Sequence, residues 1–398
     1  MRAAQIAVLV LAAGAGATSV AAAAVDQPSE LIWPDAVAST PPPPPPVVVR
    51  QGRMAGQVED TRLRLPEAET TCNGVAISPV YSEDLAAQQA SAWDARDDDT
   101  VLSFSIAADG RTTDITPDDA PRTSFGALQA ELAAWRFPAQ PRQNCRLTVR
   151  WRVTPLAEAE TPDLLNYFAV NRTTGPLRSA VAKRLGGPDA DCGARFGGRR
   201  PEVVSFPNFQ KGRRPPPGGR SWSVTRWNID AEGRATNVET LGSSGDADLD
   251  AEARRATAET RMLPGPARTG CVYNVYRTGE TLPAPPMPPE DQPEDPLQQC
   301  PPAVGDRFKA RSNPAFPAAF SQRSIEGWAK VRFDIAPWGQ IGNVSVIEAQ
   351  PAAAFGEDAL RLVQTSQATP GFEAGVRCVV PVRYRLPDED AASQADQD

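Results

Sequence analysis

The stretch that decides the fold of this chain is Gly327–Gly339, which reads GWAKVRFDIAPWG. Phe333 and Ile335 alternate with charged residues, so both apolar side chains lie on one face of a strand, and Gly339 follows at a turn. The same spacing of an aromatic residue, an isoleucine and a glycine occurs at two earlier places. These are Phe104, Ile106 and Gly110 in one, and Trp227, Ile229 and Gly233 in the other. The repeat predicts three copies of one unit.

A helix and a closing strand complete each copy. The predicted helices cover 125–137, 249–263 and 355–369, and each stops before a proline, at Pro138, Pro264 and Pro370, because proline disfavours helical geometry in the residue before it. Alternating apolar residues in a final extended stretch then close the copy. The predicted fold is therefore α+β, with three repeated β-β-α-β modules, each a small antiparallel sheet with one packed helix.

The six cysteines fall into the same repeat. One precedes the first strand of each copy and another opens its last strand; the pairs are Cys72 with Cys145, Cys192 with Cys271 and Cys300 with Cys378. Six cysteines permit fifteen connectivities, but pairing within each copy is the only one that the repeat itself suggests. The chain has no histidine and no Cys-x-x-Cys, so a zinc or redox centre is a poor alternative. We expect three disulfides, formed in an oxidising compartment.

The composition excludes several classes of function. The chain has 398 residues, a net charge of -8 and no histidine, which removes the commonest general base, the commonest zinc ligand and the Ser-His and Cys-His nucleophile pairs. The absence of a basic excess argues against nucleic acid as a partner. Acidic groups such as Asp97–Asp99 lack the spacing of a calcium loop. We expect no enzymatic activity, no cofactor, no metal site and no small-molecule substrate.

The order of segments indicates an exported, modular protein. Residues 1–24 are typical of a secretory signal peptide, with an uncleaved inner-membrane anchor as the alternative. The predicted order is then a disordered proline-rich tether at 25–70, module 1 at 71–155, module 2 at 186–281, a proline-rich linker at 282–298, module 3 at 299–387 and an acidic tail at 388–398. A helical-looking insertion at 163–185 has no assigned role. The expected location is the periplasm.

The third copy resembles the C-terminal domain of TonB-type proteins. The matching segments are Asn313–Pro317, Ile325–Ile335, Gly339–Ile347, Phe355–Leu360, Pro370 and Val380–Tyr384. The first two copies look like diverged relatives of the third. The resemblance implies a small antiparallel sheet with one helix packed on it, which agrees with the element order predicted from the residues.

The resemblance also implies a binding mode. In such domains the last strand is an edge that pairs with an extended peptide of an outer-membrane receptor, a mode known as strand addition. The candidate peptide-binding residues are Val379, Val380, Val382, Arg383, Tyr384, Arg385 and Leu386. The alternative is a core strand whose rim is covered by the tail, by another copy or by a second molecule.

The expected function is that of a non-catalytic periplasmic protein that pairs with envelope proteins and is linked to TonB-dependent transport. One alternative is an atypical anchored energy transducer, although the leader has no histidine and the proline run Pro41–Pro46 is short and not lysine-rich. The other is a disulfide-stabilised scaffold without a binding edge.

Overall fold

The structure is a computed structural model that describes residues 61–90, 99–118, 125–170, 175–192, 198–288, 300, 308–309, 315–371 and 375–386. The predicted signal peptide at 1–24, the tether up to residue 60 and the acidic tail at 388–398 lie outside the described residues. The described part is mixed α+β, with antiparallel sheets and six helices. None of its helices combines the length and the apolar character needed to cross a bilayer.

An N-terminal sheet is formed within residues 62–155. Its elements are β1 (Arg62–Cys72), β2 (Val75–Ala76), β3 (Gln88–Gln89), β4 (Thr100–Ile106), β5 (Thr112–Pro117), helix α1 (Phe125–Ala134) and β6 (Arg142–Pro155). The order across the sheet is β2-β1-β6-β4-β5, and β3 also pairs with β1. The closing strand β6 therefore lies in the interior of this sheet, between β1 and β4.

Two helices and a middle sheet follow. The elements are α2 (Thr161–Val170), α3 (Pro176–Gly186), β7 (Pro201–Val203), β8 (Arg220–Ile229), β9 (Ala235–Ser243), α4 (Ala247–Glu259), β10 (Arg261–Met262) and β11 (Arg268–Thr278). The middle sheet has the order β11-β8-β9, while β10 and β7 form a separate pair.

The C-terminal sheet has the same order of strands as the middle one. Its elements are β12 (Phe308–Lys309), α5 (Ala318–Ser321), β13 (Gly327–Ile335), β14 (Ile341–Gln350), α6 (Ala353–Thr365), β15 (Gln367–Ala368) and β16 (Val376–Tyr384). The order across the sheet is β14-β13-β16, and β12 pairs with β15. Helix α6 packs on this sheet through its buried face, which includes Phe355, Leu362 and Val363.

The folded part of the chain begins earlier than the sequence analysis predicts. Strand β1 starts at Arg62, so residues 62–70 belong to the N-terminal sheet and not to a disordered tether. Leu63 and Leu65 are buried and alternate with arginines, which is the period of a half-buried strand. Pro66 obscures this pattern because proline is unusual inside a strand.

The helices α1, α4 and α6 end several residues earlier than predicted, and the same backbone hydrogen bond in each sheet explains why. In each sheet the turn glycine accepts a backbone hydrogen bond from a residue that follows the helix. The bonds run from Phe137 N to Gly110 O at 2.9 Å, from Met262 N to Gly233 O at 2.8 Å and from Ala368 N to Gly339 O at 3.0 Å. The chain must leave the helix to make this bond, so an extended segment separates each helix from its proline.

The same three positions require glycine. Their φ angles are 82°, 84° and 88° at Gly110, Gly233 and Gly339, in the left-handed region that glycine tolerates best. A Cβ at each would overlap the carbonyl oxygen of the residue that bonds to it, namely Phe137, Met262 or Ala368. The glycine that the sequence predicts as a turn residue is thus also the point where the turn lies against the backbone of the segment after the helix, in all three sheets.

The insertion at 163–185 forms α2 and α3, which pack between β1 and the middle sheet. One hydrophobic cluster joins Leu63 and Leu65 of β1 with Phe168 of α2 and with Val224 and Val272 of the middle sheet. The side chain of Asn166 in α2 donates to Leu85 O at 3.0 Å and accepts from Ala87 N at 2.7 Å. These helices therefore attach the N-terminal sheet to the middle one.

The N-terminal and C-terminal sheets share one hydrophobic cluster. It contains Phe104 and Leu132 from the first and Phe333 and Phe355 from the second. The beginning of α6 has no side-chain cap of its own, and Gln129 from α1 supplies one by accepting from Ala354 N at 3.1 Å. The two sheets are thus joined by apolar packing and by the hydrogen bond between Gln129 and the backbone of Ala354.

Part of the predicted linker at 282–298 packs on the C-terminal sheet. Leu282 is buried, donates to Ser324 O at 2.8 Å and accepts from Glu326 N at 2.9 Å. The indole of Trp328 donates to Pro285 O at 2.7 Å. Residues 289–298 of the predicted linker lie outside the described residues.

Candidate functional site

The candidate edge is strand β16, which runs antiparallel to β13 from the pair Gly327 with Tyr384 to the pair Ile335 with Val376. Its side chains alternate between two environments. Cys378, Val380, Val382 and Tyr384 are buried, whereas the residues between them are partly exposed. The strand ends at Tyr384, so two of the predicted edge residues, Arg385 and Leu386, follow it.

The seven candidate residues therefore divide into three groups. Val380, Val382 and Tyr384 belong to the core, while Val379 and Arg383 are partly exposed on the opposite face. Beyond the strand, Arg385 is exposed, and the amide of Leu386 donates to the carboxylate of Glu326 at 2.9 Å. Only the second group and Arg385 present side chains that an added strand would meet.

Pro381 shows which backbone groups of β16 point outward. Proline has no N–H, and in strands its nitrogen is tolerated where it points away from a neighbouring strand. Since N–H and C=O groups of alternate residues point to the same side in an antiparallel ladder, the outward groups belong to Arg377, Val379, Pro381 and Arg383. Among the described residues, β16 pairs with β13 alone.

The buried side of β16 is held by an aromatic cluster. The ring of Tyr384 lies 5.2 Å from that of Phe355 and 5.7 Å from that of Phe316, and its hydroxyl donates to Phe355 O at 3.3 Å. Burial raises the pKa of Tyr384 above its usual range. This tyrosine anchors the strand and is not available to a partner.

The exposed side of β16 is cationic. Arg377 donates to Asp334 at 2.9 Å and Asn343 donates to the same carboxylate at 2.7 Å, and these bonds lower the pKa of Asp334. Arg383 donates to the sulfur of Met287 at 3.8 Å. Arg377, Arg383 and Arg385 thus give the candidate edge three guanidinium groups.

In the N-terminal sheet the corresponding edge is occupied by the chain itself. Strand β1 pairs with β6 without a register shift, from Arg62 opposite Pro155 to Cys72 opposite Cys145. The Cα atoms of Cys72 and Cys145 are 3.9 Å apart, a spacing typical of pairs that are not hydrogen-bonded. The N–H and C=O groups of the neighbouring residues of β6, such as Arg146, therefore point toward β1. They correspond to the N–H and C=O groups of β16 that point away from β13.

Exposed ion pairs accompany this ladder. Arg150 of β6 lies 3.0 Å from Glu69 of β1, and Arg152 lies 3.6 Å from Glu67. Each such pair contributes about 0.2–1 kcal/mol at an exposed position. Strand β1 was not predicted, although the alternation of Leu63 and Leu65 and that of Glu67 and Glu69 is visible in the sequence.

The middle sheet covers its closing strand in another way. Helix α3 packs on β11, and Gly186 and Gly270 approach so closely that a Cβ on either would overlap the carbonyl oxygen of the other or lie against it. Asp191 N and Cys192 N both donate to Thr269 O at 3.2 Å. The beginning of β11 is therefore in contact with the segment that precedes the sheet.

All six cysteines form disulfides within their own sheet region. The pairs are Cys72–Cys145, Cys192–Cys271 and Cys300–Cys378, with sequence separations of 73, 79 and 78 residues. In each sheet the second cysteine is the Cα partner of the aromatic residue of the repeated motif. These partners are Phe104 with Cys145, Trp227 with Cys271 and Phe333 with Cys378. The disulfide therefore ties an earlier segment, which in the N-terminal sheet is the end of β1, to the same point of each closing strand.

The acidic group at Asp246, Asp248 and Asp250 has a structural role. Asp246 accepts from Leu249 N at 3.0 Å and caps α4, while Asp250 accepts from the hydroxyl of Ser243 at 2.8 Å. The described residues contain no cluster of three or more side chains suited to hold a metal ion. Asp97 and Asp98 lie outside the described residues.

A buried ion cluster was not predicted. Arg323, before β13, lies 2.8 Å from Glu83, between β2 and β3, and 3.9 Å from Glu131 of α1. Burial raises the pKa of Glu131 to about 7, against the lowering effect of Arg323. The cluster joins two parts of the chain that are more than 190 residues apart, which no local pattern reveals.

Comparison with known proteins gives a match in the C-terminal sheet. The family described as the Gram-negative bacterial TonB protein C-terminal matches residues 312–386. The protein TonB of Escherichia coli K12 is 32% identical over 84 residues, which are 21% of this chain and 35% of that protein. The protein TonB of Klebsiella pneumoniae is 35% identical over 85 residues, 21% of this chain and 33% of that protein. The chain thus spans about a third of the length of these relatives.

Proposed function

We propose that this chain, whose residues 312–386 are a TonB C-terminal domain, is a non-catalytic periplasmic protein that binds envelope proteins through the outer edge of β16. A single comparison carries the proposal. In the described part of the chain, β16 pairs with β13 alone, whereas the corresponding edge of the N-terminal sheet carries an added strand, β1. The chain thus contains an example of the geometry that a bound extended segment would adopt.

The chain is a triplication of one β-β-α-β module in this proposal. Three features support it: the common register of aromatic residue and cysteine, the bond from the segment after the helix to the turn glycine, and the similar disulfide separations. The third module matches the family, and in this proposal the first two are diverged relatives of it.

The physical basis of binding is strand addition. Among the described residues, no strand pairs with the outward N–H and C=O of Val379 or with the outward C=O of Pro381, which are a donor and two acceptors for a further ladder. A partner strand would satisfy them, and its alternate side chains would meet Val379, Arg383 and Arg385. The proposed partner class is an extended segment of an outer-membrane receptor, which links the chain to TonB-dependent transport.

Backbone methylation tests this mode directly. An extended peptide derived from an outer-membrane receptor is titrated against the full chain, beside the same peptide carrying N-methyl groups on alternate residues. We expect saturable binding of the first peptide and at least a tenfold weaker binding of the second, since N-methylation removes the ladder donors without changing any side chain. Equal binding of the two peptides, or binding of neither, would refute strand addition.

The proposed location has its own test. N-terminal sequencing of the protein recovered from the cell envelope should give a start near Val25, after removal of the predicted signal peptide. An intact Met1 would instead support the anchored energy transducer.

A disulfide-stabilised scaffold is the second candidate function. The observation that favours it is the hydrophobic cluster shared by the N-terminal and C-terminal sheets, together with the cap that Gln129 gives to α6. A scaffold needs this rigidity and needs no open edge. The peptide titration separates the two functions, because a scaffold predicts no saturable binding at β16.

A further inference from the structure

The closing strands of the N-terminal and C-terminal sheets can be compared residue by residue. In both, a cysteine lies opposite the phenylalanine of the repeated motif: Cys145 opposite Phe104 and Cys378 opposite Phe333. Counting from these two cysteines places Arg383 of β16 where Arg150 stands in β6.

The same count brings a second arginine into correspondence. Arg385, just beyond β16, takes the place of Arg152 in β6. The buried aromatic between the two arginines corresponds as well, since Tyr384 stands where Trp151 does. The two edges therefore present the same pair of guanidinium groups around the same type of anchor.

The N-terminal sheet shows what this pair of arginines meets when a strand is added. Glu69 and Glu67, two residues apart on β1, lie 3.0 Å and 3.6 Å from Arg150 and Arg152. Arg152 also lies 3.4 Å from Asp163 of α2, so Glu67 shares it with a second carboxylate. The side chains of the two glutamates and the two arginines are on the solvent-exposed face of the ladder. The added strand is thus recognised by its backbone and by two carboxylates of the same spacing as the arginines.

We infer that the segment accepted by β16 is an acidic extended peptide, with two carboxylates two residues apart that meet Arg383 and Arg385. The inference rests on the strand addition proposed above and adds the chemistry of the partner. Arg385 is exposed, and in the described part of the chain no carboxylate forms an ion pair with it. A cationic edge of this kind attracts an acidic strand and repels a basic one.

The middle sheet does not share this chemistry. The same count from Cys271 leads to Tyr276 and Thr278, and the arginine between them, Arg277, is buried and paired with Asp246. The preference for an acidic segment is therefore inferred for the edge of β16 and not for the middle sheet. The segment of this chain that corresponds to the bound peptide is β1.

The carboxylates set selectivity and register more than affinity. The pairs in the N-terminal sheet are largely exposed, with 62% of the Arg150 side chain and 53% of the Glu69 side chain accessible. Exposed pairs contribute little and are weakened by salt. Loss of both pairs should therefore weaken binding by about fivefold to tenfold, with a smaller difference at high ionic strength.

The test uses a fluorescent peptide with the sequence of residues 61–71, TRLRLPEAETT, which ends before Cys72. It is titrated against the full chain and followed by fluorescence anisotropy. A second peptide carries Lys in place of Glu67 and Glu69, and a chain variant carries Arg383→Glu with Arg385→Glu. The peptide with Glu67 and Glu69 is called the acidic peptide for these two carboxylates, although Arg62 and Arg64 balance them in formal charge. We expect it to bind the native chain about fivefold to tenfold better than the lysine peptide, and the order to reverse on the charge-reversed variant.

A matched control is Arg361→Glu, an exposed arginine on α6 that bonds to Asp358. This variant makes the same change of net charge per residue away from the edge and should leave the preference for the acidic peptide unchanged. Binding of the lysine peptide to the variant with Arg383→Glu and Arg385→Glu would show a direct contact, because a variant that had failed to fold would bind neither peptide.

The outcomes separate this inference from the function on which it rests. If the two peptides bind equally well, but N-methylation still abolishes binding, strand addition stands and the acidic preference is wrong. If neither peptide binds, both are wrong. A preference for the acidic peptide that persists on the charge-reversed variant would place the contact elsewhere and overturn the inference.

Discussion

The closing strands of the N-terminal and C-terminal sheets, β6 and β16, correspond to each other but have different neighbouring strands. Strand β6 is enclosed between β1 and β4, while β16 has β13 on one side and no other strand in the described residues. The register around the cysteine is the same in both. Among the described residues, the difference between the two closing strands is the presence of β1, which pairs with β6 along its whole length.

The largest expected difference lies in amide exchange. The amides of Arg146, Thr148 and Arg150 face β1, so they should exchange on the order of a thousandfold more slowly than the outward amide of Val379. Hydrogen exchange resolved by residue measures this contrast. Equal protection in the two strands would show that the edge of β16 is covered, and the comparison would no longer hold.

A substitution in β1 tests how firmly the covering strand is held. Leu63 is fully buried, so Leu63→Ala should lower the free energy of unfolding by about 3 kcal/mol through lost burial and a cavity. The matched substitution Val379→Ala, at a partly exposed position of β16, should cost less than about 1 kcal/mol. Denaturant unfolding measures both, and similar costs would mean that β1 is only loosely attached.

The buried cluster between the two sheets predicts a pH dependence. The pKa of Glu131 is raised from 4.5 to about 7, so the folded state holds a proton that the unfolded state releases between these values. Stability should therefore fall as the pH rises from 5 to 8, by on the order of 2 kcal/mol.

Glu131→Gln should remove most of this dependence, since the amide does not titrate. Thermal unfolding at pH 5 and pH 8 measures it in the native chain and in the variant. An unchanged slope in Glu131→Gln would assign the dependence to other groups.

The smallest effect concerns the ion pairs of β1. Replacing Glu67 and Glu69 by Lys removes the pairs with Arg152 and Arg150 and should lower the free energy of unfolding by about 1 kcal/mol, less at high salt. Gln in place of both residues is the neutral control and should cost less than Lys. A loss of several kcal/mol would mean that these carboxylates determine the pairing of β1 and not only its selectivity.

The strand that carries the candidate edge could be predicted from the sequence, and the features that could not be predicted have a common cause. The core positions of β16 follow from the alternation that ends in Val380, Val382 and Tyr384, a local pattern. The helices were predicted several residues too long because Pro138, Pro264 and Pro370 were read as their ends. The true ends depend on bonds to Gly110, Gly233 and Gly339, which are made across the sheet by residues distant in sequence.

The sequence by itself determined the strand and turn at each motif, the helix that follows, and the cysteine pairs, since strand periodicity, turn glycines and cysteine spacing are properties of short stretches. Only the tertiary structure decided that β6 is enclosed, between β1 and β4. Backbone hydrogen bonds across a ladder are nearly independent of side-chain identity, so no local motif shows that Arg62–Cys72 will pair with residues that follow Asn144. The same holds for Gln129, which caps a helix 225 residues away because folding brings the two sheets together.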